Sequence, residues 1–340
     1  MKSNFENESL SLMVGYGLLA ISMHSTSASR SFDWSLACLE KCISGRQFNV
    51  SIDPQGQLSS FVMWTNVSEE VNQRLLHHGM SKLHPGDINS GNEIWLIELC
   101  VLDGALPKLL RRLRDECLRD VQQVTYFRFK NGKHIAKRIA RTDCTSFFRP
   151  SKQINQDASR FLKAREGEGL PHSASAIRGA AQTLGEVAML ARYIPEIGTL
   201  PLFLALERLS RPGKLKQIRL YHDADGSLCG YVSWAWLEAE IAHQDVPLPH
   251  ALAPHQWNEG PCLLVCDAFA TTTGLASVCA DLAVGLYPGV TMHFRPDVPH
   301  GTKAQATPML SMNFANLLGN SSSTTPITDI LAMLRIHVSK

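Results

Sequence analysis

Two acidic side chains interrupt otherwise apolar segments of this chain. Glu98 lies within Ile94–Leu102, and Asp267 is the only charged residue of Cys262–Ala270. A carboxylate on an apolar strand loses part of its hydration. This raises its pKa towards neutral pH and suits it to proton transfer. The structural alternative is an acid at a strand end that forms a salt bridge with a neighbour. The residue types therefore predict proton-transfer chemistry at Glu98 or Asp267 and leave that alternative open.

The two acids occupy matching positions of an internal repeat with an offset of about 170 residues. Gln47–Trp64 aligns with Gln217–Trp234 without a gap, and Glu98 aligns with Asp267 further on. The identical pairs of the aligned segment are Gln47/Gln217, Asp53/Asp223, Gly56/Gly226, Leu58/Leu228, Val62/Val232 and Trp64/Trp234. Because solenoid units run to about 20–50 residues, a repeat of this length indicates a duplicated domain.

Each copy reads as a helix, two strands around a turn, a helical connection, a strand, a helix and a last strand. This order predicts an α/β protein of the α+β type, in which each copy has a mixed, mostly antiparallel sheet flanked by helices. The predicted elements of the first copy are Ser35–Ser44, Gln47–Ile52, Leu58–Trp64, Val67–Leu76, Ile94–Leu102, Leu106–Val121 and Val124–Lys130. Those of the second copy include a turn at Asp223–Gly226, the strand Cys262–Ala270, the helix Thr271–Leu286 and the strand Val290–Phe294.

The domain borders follow from the repeat and from local composition. We predict a first domain at 1–148, a polar linker at 149–180, a second, diverged domain at 181–300 and a tail at 301–340 with a short helix over Thr328–Val338. The chain is 44% apolar and 19% charged, so each half can bury a core. A formal net charge of +2 argues against a dedicated nucleic-acid-binding protein.

The cysteines and the N-terminal segment indicate the compartment. The nine cysteines include no C-x-x-C pair and have no histidine at zinc-finger spacing, so we predict buried free thiols, a reducing cytosol and no metal site. Leu10–Met23 is too short to span a bilayer and lacks the basic segment of a secretory signal. The prediction is a cytoplasmic protein without stable membrane insertion.

Three ordered motifs, present in both copies, carry a family resemblance. The strand Gly230–Ala235 reads GYVSWA, and Phe61–Asn66 matches it in the first copy. A Ser-Gly or Glu-Gly pair then precedes an apolar strand that ends in an acid, in Ile88–Glu98 and again in Trp257–Asp267. These motifs resemble those of the RTX toxin-activating lysine acyltransferases. In that family one strand reads "aYvSWA", and a later apolar strand ends in an aspartate. The resemblance covers Gly17–Arg141 and Leu184–Pro296.

The resemblance implies a fold and a reaction. The chain would hold two tandem GNAT-like acyltransferase domains and transfer a fatty acyl group from acyl-acyl carrier protein to internal lysines of an RTX-type protoxin, with no bound cofactor. Family members are dimeric, so we expect an intramolecular pseudo-dimer or a homodimer. Such a transfer needs a group that deprotonates the lysine and donors that stabilise the oxyanion. Glu98 and Asp267, at the place of the family aspartate, are predicted to be catalytic.

The family histidine is missing at its own position. In the first copy, Ser29 stands where the family has His-Arg-x-Trp, and in the second copy the position falls near Ile197 or Gly198. His24, five residues upstream of Ser29, is the candidate replacement, and the alternative is a partly exposed loop histidine. Hydroxyl groups are also at hand in Ser25, Thr26, Ser27 and Ser29.

A basic helix face offers a docking site for the donor. Arg111, Arg112 and Arg114 are predicted to bind the acidic acyl carrier protein, since complementary charge speeds encounter. The alternative is a solvated face with intrahelical pairs to Asp115 and Glu116.

Several other enzyme classes are excluded by their signatures. The sequence has no G-x-S-x-G, P-loop or H-E-x-x-H motif, which argues against a serine hydrolase, a P-loop NTPase or a zincin. The acetyl-CoA loop R/Q-x-x-G-x-G/A is absent too, which favours a carrier-protein donor. Because the histidine is missing, a second hypothesis stands beside the acyltransferase: a catalytically degenerate protein that binds the toxin or the carrier.

Overall fold

The structure is a computed structural model with two compact units. It describes residues 10–23, 27, 29–53, 57–102, 106–130, 133–143, 172–243, 252–284, 286–287, 290, 292–294, 310–312 and 336–339. The units are Met1–Gly185 and Glu186–Lys340, and their border falls inside a helix that begins at His172. The predicted linker over 149–180 thus ends in helix where it is described, and the predicted domain borders stay predictions.

The first unit contains one mixed sheet with helices around it. Its sheet order is β1-β2-β3-β4-β5, and every pairing is antiparallel except β3 with β4. Its elements are α1 (Leu10–Ser22), α2 (Phe32–Ser44), β1 (Phe48–Ile52), β2 (Leu58–Val67), α3 (Glu69–His78), β3 (Glu93–Val101), α4 (Leu106–Arg112) continued by a π-helical turn at Leu113–Cys117, β4 (Gln123–Lys130), β5 (Lys133–Ala140) and the first part of α5 (His172–Ala191), with 3-10 turns at Met80–Lys82, Pro85–Asp87 and Arg141–Asp143.

Local sequence signals set the helix ends of this unit. Ser31 caps α2 by accepting a hydrogen bond from the backbone N–H of Trp34, and Ser68 caps α3 in the same way. Two glutamates in the first turn of α3 favour its N-terminus, where the helix dipole is positive. Gly79, at φ 83°, then ends α3 in a conformation that suits glycine.

Small residues let α1 and the first part of α5 approach closely within this unit. A Cβ added at Gly15 would lie 1.8 Å from the carbonyl oxygen of Ala181, and one at Gly185 would lie 1.7 Å from that of Ser11. These distances are far below van der Waals contact, so both positions require glycine. The helix α1, buried along most of its length, thereby becomes a core element rather than a surface helix.

The second unit repeats the plan of the first. Its sheet order is β10-β9-β8-β7-β6, β8 and β9 are parallel, and β11 also pairs with β8 in parallel. Its elements are α6 (Pro195–Gly198), α7 (Leu202–Leu215), β6 (Ile218–His222), β7 (Leu228–Leu237), α8 (Ala239–His243), a 3-10 turn at Pro254–Trp257, β8 (Cys262–Thr271), α9 (Leu275–Val284), β9 (Met292–Phe294), β10 (Leu310–Met312) and β11 (Ile336–Ser339).

The α+β class is confirmed, with three differences in detail. The predicted helix Leu106–Val121 is α-helical only to Arg112 and then widens into the π turn. The strand β5 adds an edge that the sequence pattern did not predict. The helix predicted over Thr328–Val338 is wrong at its end, because Ile336–Ser339 is a strand that hydrogen-bonds to β8; residues 328–335 lie outside the described residues.

Candidate active site

A β-bulge in β3 decides which side of the first sheet Glu98 faces. Met63 of β2 pairs with Glu98, but the next residue, Trp64, pairs with Leu96, so Ile97 is an extra residue. Leu96 and Leu99 both pack in the cluster against α4, which shows that the side-chain alternation shifts between them. Without the bulge, Glu98 would point into that apolar cluster, since residues two apart share a face. The bulge instead turns the carboxylate to the opposite face.

Ser27 hydrogen-bonds to Glu98 on that face, and Arg30 lies near enough for the charges of Arg30 and Glu98 to interact. The Ser27 hydroxyl donates a hydrogen bond to Oε2 of Glu98 at 2.6 Å, and both residues are about 5% exposed. The backbone N–H of Arg30 donates a hydrogen bond to the carbonyl oxygen of Ser27 at 3.1 Å, so Ser27 and Arg30 belong to the same turn of the chain. The hydroxyl donor and the nearby cation fix the position of this buried carboxylate on that face of the sheet.

Arg30 is held in place by packing. Its guanidinium lies 4.3 Å from the ring centroid of Trp34, whose indole N–H donates to the carbonyl of Leu83 at 2.8 Å. Burial lowers the pKa of Arg30, and the negative charge of Glu98 partly offsets this. Within the described residues, its Nη1 is buried and has no hydrogen-bond partner. Arg30 thus holds a buried donor that the described part of the fold does not use.

A thiol lies near the same arginine. Burial raises the pKa of Cys38 to about 12, although the positive charge of Arg30 opposes this. Because the thiolate is the nucleophilic form, Cys38 is protonated and unreactive at neutral pH. Cys38 is therefore a poor candidate for a nucleophile.

The second unit has the same bulge but a different partner for the acid. Ser233 pairs with Asp267 while Trp234 pairs with Val265, so Asp267 is turned as Glu98 is. Arg208 of α7 binds Asp267 through both of its oxygens, with Nε to Oδ2 at 3.1 Å, and the two side chains are 3% and 4% exposed. Burial opposes the charge of Arg208, but the charge and hydrogen bonds of Asp267 outweigh it and raise the pKa of Arg208.

The strand pairing beside the acid differs between the units within the described residues, which do not include 144–171. β3 pairs with β4 only at Trp95 and Leu96, after which the strands diverge next to Glu98. In the part of the chain that the structure describes, no strand pairs with that edge of β3 beyond Leu96. In the second unit β7 covers one edge of β8, so β11, which pairs with Ala268–Thr271, must occupy the edge that β9 leaves. The place next to Asp267 is therefore filled by backbone.

Both copies match one protein family. The model of the RTX toxin acyltransferase family matches residues 19–143 and again residues 178–306, which together make up most of the chain. The chain belongs to the RTX toxin acyltransferase family. The two matches confirm the tandem arrangement and the family assigned from the strand motifs. A comparison with individual curated proteins found no match.

Membership of the RTX toxin acyltransferase family supports an acyltransferase that acts in RTX toxin activation. Among the described residues, no helix is long and apolar enough to cross a membrane. No group of three or more His, Cys, Asp or Glu side chains placed to hold a metal ion is found in the described ranges.

The remaining predicted site residues are placed as follows. His24, the candidate replacement for the family histidine, lies outside the described residues, and Ser29, at the family position, has an exposed side chain. Ser27, one of four hydroxyl residues considered, hydrogen-bonds to Glu98, whereas Ser25 and Thr26 lie outside the described residues. Arg30 and Arg208 were not predicted; the Ser-Arg that replaces the family's His-Arg was the available signal for Arg30, whereas nothing in the sequence marks Arg208.

The basic face of α4 is only partly available. Arg112 Nε pairs with Glu116 at 3.1 Å, and Arg114 Nε pairs with Asp115 at 2.5 Å. Arg114 is buried, and only Arg111 of the three predicted docking residues is exposed. These ion pairs are the ones expected if the face is simply solvated. Docking of the carrier at this face stays a prediction.

Proposed function

We propose that the chain is a protein-lysine fatty acyltransferase that moves an acyl group from acyl-acyl carrier protein to internal lysines of an RTX-type protoxin. The observation that carries the proposal is the buried carboxylate of Glu98, turned by the bulge towards Ser27 and Arg30. We place the reaction in the first unit, in a GNAT-like domain of a cytoplasmic protein. The pairing of the two domains, within the chain or in a homodimer, is part of the same expectation.

The chemistry follows from these three side chains. Glu98 accepts a proton from the lysine ammonium, and the free amine attacks the thioester carbonyl carbon. The negative charge that develops on the carbonyl oxygen is stabilised by the guanidinium of Arg30. The intermediate then collapses and the C–S bond breaks. The leaving thiolate takes the remaining extra proton of the attacking nitrogen and departs as the carrier thiol, an amide remains on the lysine, and Glu98 releases its proton to water. Removal of one oxyanion donor costs about 10²–10³ in kcat in other enzymes, which sets the scale for Arg30.

The described strand pairing supports the same placement. An acyl thioester arm is long and extended, and it carries amide groups that can hydrogen-bond to a strand edge. Among the described residues, no strand pairs with β3 beyond Leu96 on the side of β4. The donor arm would lie there with its thioester next to the carboxylate.

We infer that the second unit supports the first and does not catalyse. A base must be able to exchange its proton with a substrate, but Asp267 is held by Arg208 in a buried ion pair. The strand β11 also occupies the edge that an extended donor would use. Asp267, which matches Glu98 in the repeat, is therefore proposed to be structural.

The test is mass spectrometry of an RTX-type protoxin incubated with this chain and acyl-acyl carrier protein. We expect an acyl-sized mass increase on lysine that is lost in Glu98→Gln and retained in Asp267→Asn. Ser27→Ala is expected to lower kcat about tenfold or more, because a hydrogen bond to a charged group contributes about 1.5–3 kcal/mol, and Ser27→Thr to restore it. Full transfer by Glu98→Gln would refute the assignment of Glu98 as the catalytic base.

One observation favours a second function. The family histidine is replaced by the exposed Ser29, so a protein that binds the toxin or the carrier without transfer remains the alternative. A stable complex with either partner, together with no mass increase under any condition, would select it.

A further inference from the structure

The hairpin of β4 and β5 concentrates positive charge in the first unit. The two strands, Gln123–Lys130 and Lys133–Ala140, contain five lysines and arginines and no acid. The chain as a whole is nearly balanced, with 33 basic and 31 acidic residues. The charge of the hairpin is thus a local feature and not a reflection of composition.

The basic side chains of the hairpin are available to a partner. Arg128 and Lys137 are exposed and lie on one face, because Arg128 pairs with Ile135 and Lys137 with Tyr126. Arg138, on the other face, is 3.8 Å from Glu93 and still about half exposed at 47%. β5 is an edge strand, and lysines on such an edge also discourage sheet-to-sheet aggregation. That role accounts for β5, but not for Arg128 on the inner strand.

The location of the hairpin ties this charge to the site. The described pairing of β4 with β3 ends at Leu96, two residues before Glu98, and Arg128 lies two residues beyond Tyr126, the partner of Leu96. The basic side chains of the hairpin therefore lie close to the part of β3 that carries Glu98.

We propose that the β4–β5 hairpin, through Arg128 and Lys137, docks a strongly acidic protein that brings an acyl thioester to the first unit. The proposal rests on the proposed function for the nature of this partner, the acyl carrier protein. It moves the docking surface from α4, where two of the three arginines are held in local ion pairs, to the adjacent hairpin. Exposed charges of this kind act mainly on the rate of encounter, and salt weakens them.

The experiment measures binding of fluorescently labelled acyl carrier protein by anisotropy, separately from transfer. The double variant Arg128→Glu/Lys137→Glu is compared with Lys108→Glu/Arg111→Glu, which makes the same change in charge on α4. We expect the hairpin variant to raise the Kd about tenfold at low salt, and the α4 variant to change it by less than about threefold. The salt dependence of binding should also become weaker in the hairpin variant only. Circular dichroism checks that both variants fold.

The outcomes separate docking from catalysis. Loss of carrier binding in the hairpin variant supports docking, even if the wild-type chain transfers no acyl group and the proposed function fails. Equal effects of the two double variants, or a larger effect at α4, would overturn the docking proposal and leave the transfer reaction standing. Binding of anionic phospholipid vesicles through Arg128 and Lys137, without a change in carrier affinity, would also overturn it and assign the hairpin to a membrane surface.

Discussion

Replacing the two equivalent acids should have opposite consequences for activity and stability. Asp267→Asn leaves the positive charge of Arg208 buried without its partner, and both side chains are at most 4% exposed. Removal of one partner from a buried ion pair costs about 3–5 kcal/mol. For a unit of this size, that corresponds to a fall of roughly 6–20 °C in the midpoint temperature at which the second unit itself unfolds. The acyl transfer rate below this transition should stay near the wild-type value.

Glu98→Gln should behave in the reverse way. The amide oxygen of glutamine can still accept the hydrogen bond from Ser27, so the loss of stability should be about 1 kcal/mol. Transfer should fall by about 10²–10⁴, the usual contribution of a positioned acid or base.

Hydrogen-exchange mass spectrometry is the suitable assay, because peptides from each unit report separately and a single Tm is poorly defined for two domains. Amide protection should fall in β7 and β8 of Asp267→Asn and remain unchanged in β3. The matched control is Arg208→Met/Asp267→Leu, which removes both charges and should recover most of the protection. Wild-type protection in Asp267→Asn, or loss of transfer in that variant while its fold is intact, would refute a purely structural Asp267.

Three further predictions concern other parts of the structure. Arg30→Gln should lower kcat about 10²–10³ with little change in the KM of the donor, as measured by steady-state kinetics; an unchanged kcat would exclude Arg30 as an oxyanion donor. Gly185→Ala should destabilise the first unit by about 3 kcal/mol in urea unfolding, because the added Cβ overlaps the backbone of α1, whereas Gly179→Ala, with open space around it, should stabilise the helix by about 0.5–1 kcal/mol. Burial opposes ionisation of Asp281, but hydrogen bonds from Arg219 and a tyrosine hydroxyl outweigh it and lower its pKa. A lowered pKa stabilises the folded state at pH values above the unfolded pKa of about 3.9. Asp281→Asn should therefore lower the free energy of unfolding by about 1 kcal/mol at pH 7 and by progressively less as the pH falls below 4. A difference in unfolding free energy that persists at low pH would argue against this ionic contribution.

The sequence by itself determined the duplication, the α+β class and the position of the two acids. These follow from local patterns: the aligned strands around each turn, the apolar runs and the single acid in each run are all readable within short segments. The family motifs lie in the same strands, so the family too was available from the sequence.

The tertiary structure decided what each acid does. One extra residue in β3 reverses the face of Glu98, and hydrophobic alternation alone does not specify such a bulge, since it arises from pairing with β2. Ser27 reaches Glu98 across 71 positions of the chain, and Arg208 reaches Asp267 across 59. Contacts at such separations depend on how helices pack on the sheet. For that reason, two acids that look equivalent in the sequence have different partners in the fold.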